Sequence, residues 1–110
     1  MSVQHKSLAA GRWYRLSFLE QMANIGSEVE RALNWRAKQN AAYSLRALER
    51  ALELVDLTLE GGWEAPRLKE LARMREALAD DFLGANEYGS TEEAWRRYFS
   101  HLTYAARRDR

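Results

Sequence analysis

The sequence predicts an all-α protein, an antiparallel up-down-up-down four-helix bundle. Three observations carry this expectation. Four segments place apolar residues at helical spacing. Only one Pro and six Gly interrupt 110 residues, which leaves few breakers for a chain this long. No stretch of five residues alternates convincingly as a strand would. Connections of a few residues make sequential helices antiparallel neighbours.

The first helix is expected at about 17–38. Ser17 and Glu20 form a capping box, in which each side chain satisfies an amide that the first turn leaves unpaired. Phe18, Met22, Ile25, Val29 and Leu33 follow on one face, and Gly26 leaves room for a neighbouring helix. The second helix is expected at about 41–59. Leu45, Leu48, Leu52, Val55 and Leu59 step by three and four, a heptad-like seam, and Gly61–Gly62 ends it. The third is expected at about 66–83, opening on Pro66, whose missing amide costs nothing in a first turn. Leu68, Leu71, Met74, Leu78 and Phe82 form its apolar face, and Gly84 stops it. The fourth is expected at about 91–107, capped by Ser90 with Glu93, with Trp95, Tyr98, Phe99 and Leu102 on its stripe. Residues 1–14 are left as an arm on a single domain spanning 1–110.

Composition narrows the function classes. Apolar residues make up 46% and charged residues 30%, as in globular domains rather than disordered chains. The absence of Cys excludes a disulfide framework and a thiolate metal site, and fits a reducing cytoplasm. The first twenty residues lack the long apolar core of a signal peptide. No run is long enough to span a membrane. The net charge is +1, so charge matters here through its distribution. Cations are concentrated at both ends of the sequence. Residues 40–65 are acidic, with Glu49, Glu53, Asp56, Glu60 and Glu64 against Arg46 and Arg50.

The expected topology turns that distribution into a candidate site. The start of helix 1, the loop between helices 2 and 3 and the end of helix 4 share one pole. That pole gathers Arg12, Arg15, Arg67, Lys69, Arg107, Arg108 and Arg110 with Trp13, Tyr14, Trp63 and Tyr104. Arginine interleaved with aromatic rings suits phosphates and stacked bases. The competing explanation is structural: cations complement helix C-termini, and Trp side chains cover bundle ends. Arg96 and Arg97 extend the candidate partner-binding set along helix 4. The acidic side of helix 2 is a solvated face, or else an intersubunit or interhelix partner for arginines on helices 1 or 4. Asp56, beside the Val55–Leu59 seam, is the acid expected to be partly buried and paired.

Other chemistry is not supported. A dinuclear carboxylate bundle needs paired Glu-x-x-His motifs, and neither His5 nor His101 follows a Glu at that spacing. Two distant His without Cys do not compose a zinc site. Gly61–Gly62 lacks the strand and the Gly-Lys-Ser/Thr of a phosphate loop. No nucleophile elbow is present. No metal, cofactor or small-molecule substrate is expected. One enzymatic alternative remains. Arg96 and His101 are spaced as in the Arg-x(4–6)-His motif of HEPN-type ribonucleases, whose His acts as general acid or base and whose Arg stabilises phosphorane charge.

The stretches NIGSEVERALNW (24–35), RALERALELVDLTL (46–59), RLKELARMREAL (67–78) and NEYGS (86–90) resemble a family of small bacterial four-helix-bundle proteins. That group includes bundle proteins encoded in ribosomal RNA intervening sequences. It also includes the accessory variability determinant proteins of diversity-generating retroelements. The resemblance implies a non-enzymatic homo-oligomer, pentameric in that family, that binds a reverse transcriptase and its RNA. The chain departs from those strongly basic proteins in being nearly neutral, which shifts weight toward protein contact or a local cationic patch. A plain self-associating helical module is the third reading.

Overall fold

The structure, a computed structural model, describes residues 11–108. Most of the expected N-terminal arm, His5 included, therefore lies outside the described residues, as does Arg110. The described residues are helical without strands. Four long helices follow in order: α1 (Phe18–Ala37), α2 (Ala41–Leu59), α3 (Ala65–Leu83) and α4 (Glu92–Arg108). Residues 11–13 form a further helical piece ahead of α1.

Local chemistry sets the helix ends. The Ser17–Glu20 capping box is present in both directions, at 3.1 and 2.9 Å. After α1, Gln39 takes a left-handed φ of 63°, a conformation Gly would hold with less strain. Asn40 then caps α2, its side-chain oxygen accepting from the Tyr43 amide at 3.1 Å. Gly62 turns the chain after α2 at φ 75°. Pro66 stands second in α3, behind Ala65, and Glu64 supplies no side-chain cap.

At α4 the expected cap is replaced by its neighbour. The Ala94 amide donates to Thr91 Oγ1 at 3.0 Å, so Thr91 caps the helix. Ser90 is held instead by Asn86, whose side chain donates to the Ser90 carbonyl and accepts from its amide, both at 2.9 Å. The 84–90 loop is fastened from below by Asp80. Its carboxylate accepts from the Glu87 and Tyr88 amides at 2.9 and 3.0 Å.

All five expected core residues of α1 are buried. On α2 the deepest line is displaced around the helix from the expected seam. Leu48 and Val55 are buried, Leu52 and Leu59 are half-buried, and Leu45 is 40% exposed. The small residues Ser44, Ala47 and Ala51 are buried in their place. The reason is close packing against α1: Ser44 Oγ donates to the Ala32 carbonyl at 2.9 Å. Large side chains there would hold the two backbones apart.

The α1–α4 approach is closer still at one point. A methyl group built on Gly26 would lie 2.8 Å from Phe99 Cβ. Gly26→Ala is therefore expected to destabilise the protein by about 1–3 kcal/mol through overpacking, despite the better helix propensity of Ala. Chemical denaturation monitored by circular dichroism checks the sign, and a stabilised variant would show that Phe99 has room to retreat.

α3 is attached more sparsely. Only Leu71, Met74 and Leu78 are buried along it. Polar links supplement them. Arg75 donates to both Asp56 oxygens at 2.7 and 3.2 Å, and Tyr98 donates to Glu70 at 2.6 Å. Asp56 is thus paired as expected, but with α3 rather than with an arginine of helix 1 or 4, and its side chain remains 45% exposed.

Candidate functional site

Part of the expected set is brought together around Phe18 and Thr58, and much of it serves the fold. Trp13 is buried, and its indole N–H donates to Thr58 Oγ1 at 3.0 Å. Thr58 in turn donates to the Leu54 carbonyl at 2.8 Å. Tyr14 donates to the Leu57 carbonyl at 2.9 Å. Gln21, wholly buried, donates to the Trp13 and Leu16 carbonyls at 3.1 and 3.2 Å, while its Oε1 has no partner. These bonds fasten the turn before α1 to the end of α2.

Trp63 and Arg67 close the same end. The Trp63 indole donates to the Thr58 carbonyl at 2.8 Å, and its ring meets Phe18 edge-on with centroids 5.1 Å apart. The Arg67 guanidinium lies 4.6 Å from the Phe18 ring centre and 5.6 Å from that of Trp63. Trp13, Trp63 and Arg67 therefore act as the lid of the core. A stacking base would have to displace them.

The cations and the tyrosine around that lid are placed differently. Arg12, Arg15, Arg107 and Arg108 are exposed. Tyr104 is 67% exposed. Arg107 reaches the pole, where it lines a cleft with Leu16 and Glu20. Farther along, Arg107 and Tyr104 border a groove of about 420 Å³ between α1 and α4, with Ser27, Ser100 and Thr103 on its walls. The two openings share Ser27, Thr103 and Arg107, so they lie next to each other along the α1–α4 side.

Arg96 and Arg97 occupy different settings. Arg96 donates to Asn34 Oδ1 at 2.9 Å and to Glu92 at 3.1 Å, with Glu30 at 3.6 Å. It clamps α4 to α1. Arg97 pairs with Glu93 at 3.3 Å on an exposed surface. His101 is exposed. At about 100° per residue it lies roughly 140° around α4 from Arg96. Among the described residues no cluster of three His, Cys, Asp or Glu is disposed to hold a metal ion.

Where α1 and α3 end and α4 begins sits a polar centre that sequence reasoning missed. Asp81 accepts from Arg36 at 3.0 Å and from the Trp95 indole at 2.8 Å, joining α1, α3 and α4. Arg36 also lies 4.2 Å over the Phe82 ring. The only sequence signal was an acid placed one residue before Phe82 at the end of an apolar face.

Tyr98 marks the border between α3 and α4. Burial first, and then the hydrogen bond to Glu70, push its phenol far above the ordinary value. It stays protonated and donates throughout the physiological range. No protein family, no curated protein and no solved structure compared with this chain matches it.

Proposed function

We propose that the protein is a non-catalytic, oligomeric helical adaptor that binds a reverse transcriptase and its RNA, the partners that the family resemblance implies. In this reading the helices close as an antiparallel up-down-up-down bundle. The contacts support that topology. Ser44 on α2 meets Ala32 on α1, and Thr58 on α2 meets Trp13 just before α1. Arg96 meets Asn34, while Arg107 borders the same cleft as Leu16. Both sets of contacts join the start of one helix to the end of its neighbour.

The observation that carries the functional reading is the α1–α4 groove. Its exposed Tyr104 and Arg107 stand beside three hydroxyl side chains, and Arg12, Arg15 and Arg108 are exposed on the elements that end nearby. Guanidinium groups grip phosphates, hydroxyls bond phosphate or sugar oxygens, and an exposed ring stacks on a base. The described helices include none long and apolar enough to cross a membrane. With no Cys in the chain, a cytoplasmic setting fits this role.

Replacing Arg12, Arg15, Arg107 and Arg108 together with Ala should weaken single-stranded RNA binding by about 10- to 1,000-fold. It should flatten the dependence of log affinity on log salt by up to about 3, at roughly 0.7 for each phosphate that an arginine no longer neutralises. Fluorescence anisotropy at several salt concentrations measures both. Unchanged affinity and slope, with helicity retained, would discard the patch.

A further inference from the structure

We propose that the groove between α3 and α4 receives the acidic ridge of α2 from a second copy of this chain, in a head-to-tail contact. Self-association belongs to the function proposed above, and the inference here names the two surfaces that meet.

The receiving side is a gap between the two helices. α3 and α4 leave an opening of about 430 Å³, with Met74, Ala77 and Trp95 among its lining residues and Lys69 and Arg73 on α3 beside them. Lys69 and Arg73 stand one helical turn apart, and both are exposed. Neither has an ion-pair partner among the described residues. Glu70, which lines the opening between them, accepts a hydrogen bond from Tyr98 and pairs with neither cation. Like charges four residues apart on a helix repel each other, so this rim is an unsatisfied cationic pair above an apolar floor.

The donating side has the opposite character and the same spacing. Glu49 and Glu53 also stand one turn apart, on α2. They too lack an ion-pair partner among the described residues. Arg50 reaches Glu28 instead. One turn before Glu49, Leu45 is 40% exposed and offers an apolar side chain of a size to enter the groove. Two acids and two cations at equal i,i+4 spacing can face each other in register, each pair relieving the repulsion in the other.

The two surfaces cannot satisfy each other within one molecule. Asp56 on α2 meets Arg75 on α3, and the chain reverses through the 60–64 turn. That register carries Glu53 and Glu49 toward the C-terminal end of α3, whereas Lys69 and Arg73 lie toward its start. The contact is therefore between different patches of two copies, and such a heterologous contact propagates into a ring or a filament rather than a two-fold dimer.

The test is a charge exchange followed by sedimentation velocity in low and high salt. The wild-type protein should associate, with an affinity that falls as salt rises. Glu49→Lys with Glu53→Lys, or Lys69→Glu with Arg73→Glu, should each weaken association by at least about tenfold, since like charges then face each other across the contact. The quadruple variant carrying both exchanges should associate again, as should an equimolar mixture of the two double variants. That rescue separates a contact from a folding defect. A wild type that stays monomeric at all concentrations overturns both this contact and the oligomeric reading, leaving the groove to another partner. An associating wild type whose mass is indifferent to the reversals overturns the contact alone.

Discussion

Trp13→Ala is expected to lower the stability of the protein by about 3–5 kcal/mol, the range for removing a buried large aromatic side chain. Trp13 is only 7% exposed and lies in the same core as Phe18 and Val55. Truncation opens a cavity under the aromatic lid. It also removes the donor that Thr58 Oγ1 accepts at 3.0 Å. The Gln21 side chain bonds the Trp13 backbone carbonyl, so loosening this turn leaves a buried amide with weaker partners. Small domains have about 5–15 kcal/mol in total, so one substitution removes a large share. Trp13→Phe should cost less, because most of the ring volume stays and Thr58 keeps its bond to Leu54. Urea unfolding followed by circular dichroism measures both variants. If Trp13→Ala left the midpoint unchanged while RNA binding fell, Trp13 would be a contact residue and its role as part of the lid would be wrong.

The helices were legible in the sequence wherever the signal was local. The α1 stripe from Phe18 to Leu33 and the Ser17–Glu20 box depend on residues within a turn or two of one another. The Leu seam of α2 was legible as a helix but not in its rotation. Which stripe sinks deepest depends on how closely α1 approaches, and that is set by Ser44, bonded to the Ala32 carbonyl, and by the buried Ala47 and Ala51. Such small residues give little hydrophobic signal. The α4 cap failed for a related reason. Ser90 and Thr91 are equally able caps, and the choice is made by Asn86 seizing Ser90 from within the loop. At the pole, composition could gather arginine and aromatic residues but could not sort them. Trp13 and Trp63 have indole N–H groups that seek acceptors when buried, and Thr58 supplies an acceptor to each, through its hydroxyl and its carbonyl. Nothing about Thr58 in a helical run announces that it holds two tryptophans.

Asp81→Ala is expected to cost about 2–4 kcal/mol, and the cost should be carried by the partners left behind. The Asp81 side chain is 7% exposed, while Arg36 is 36% exposed. Water therefore screens the arginine side of this pair, which argues for the lower part of the range for breaking a buried ion pair. The Trp95 indole adds to the loss, since its N–H bonds the same carboxylate at 2.8 Å and would remain unsatisfied in a buried residue. Asp81→Asn should cost less, because its amide oxygen can still accept one of the two donors. The decisive comparison is a double-mutant cycle with Arg36→Met. Removing the cation together with the carboxylate should recover part of the loss of Asp81→Ala, since the penalty of an unpaired charge disappears. Simple additivity of the two substitutions would mean that Arg36 and Asp81 do not depend on each other. Because Asp81 joins α1, α3 and α4, its loss should also appear locally. Amide exchange in α3, which has three buried residues against eight in α1, should accelerate more than exchange in α1. An equal acceleration in both would show that α3 unfolds only with the whole, and that this carboxylate stabilises the fold without holding one helix in place.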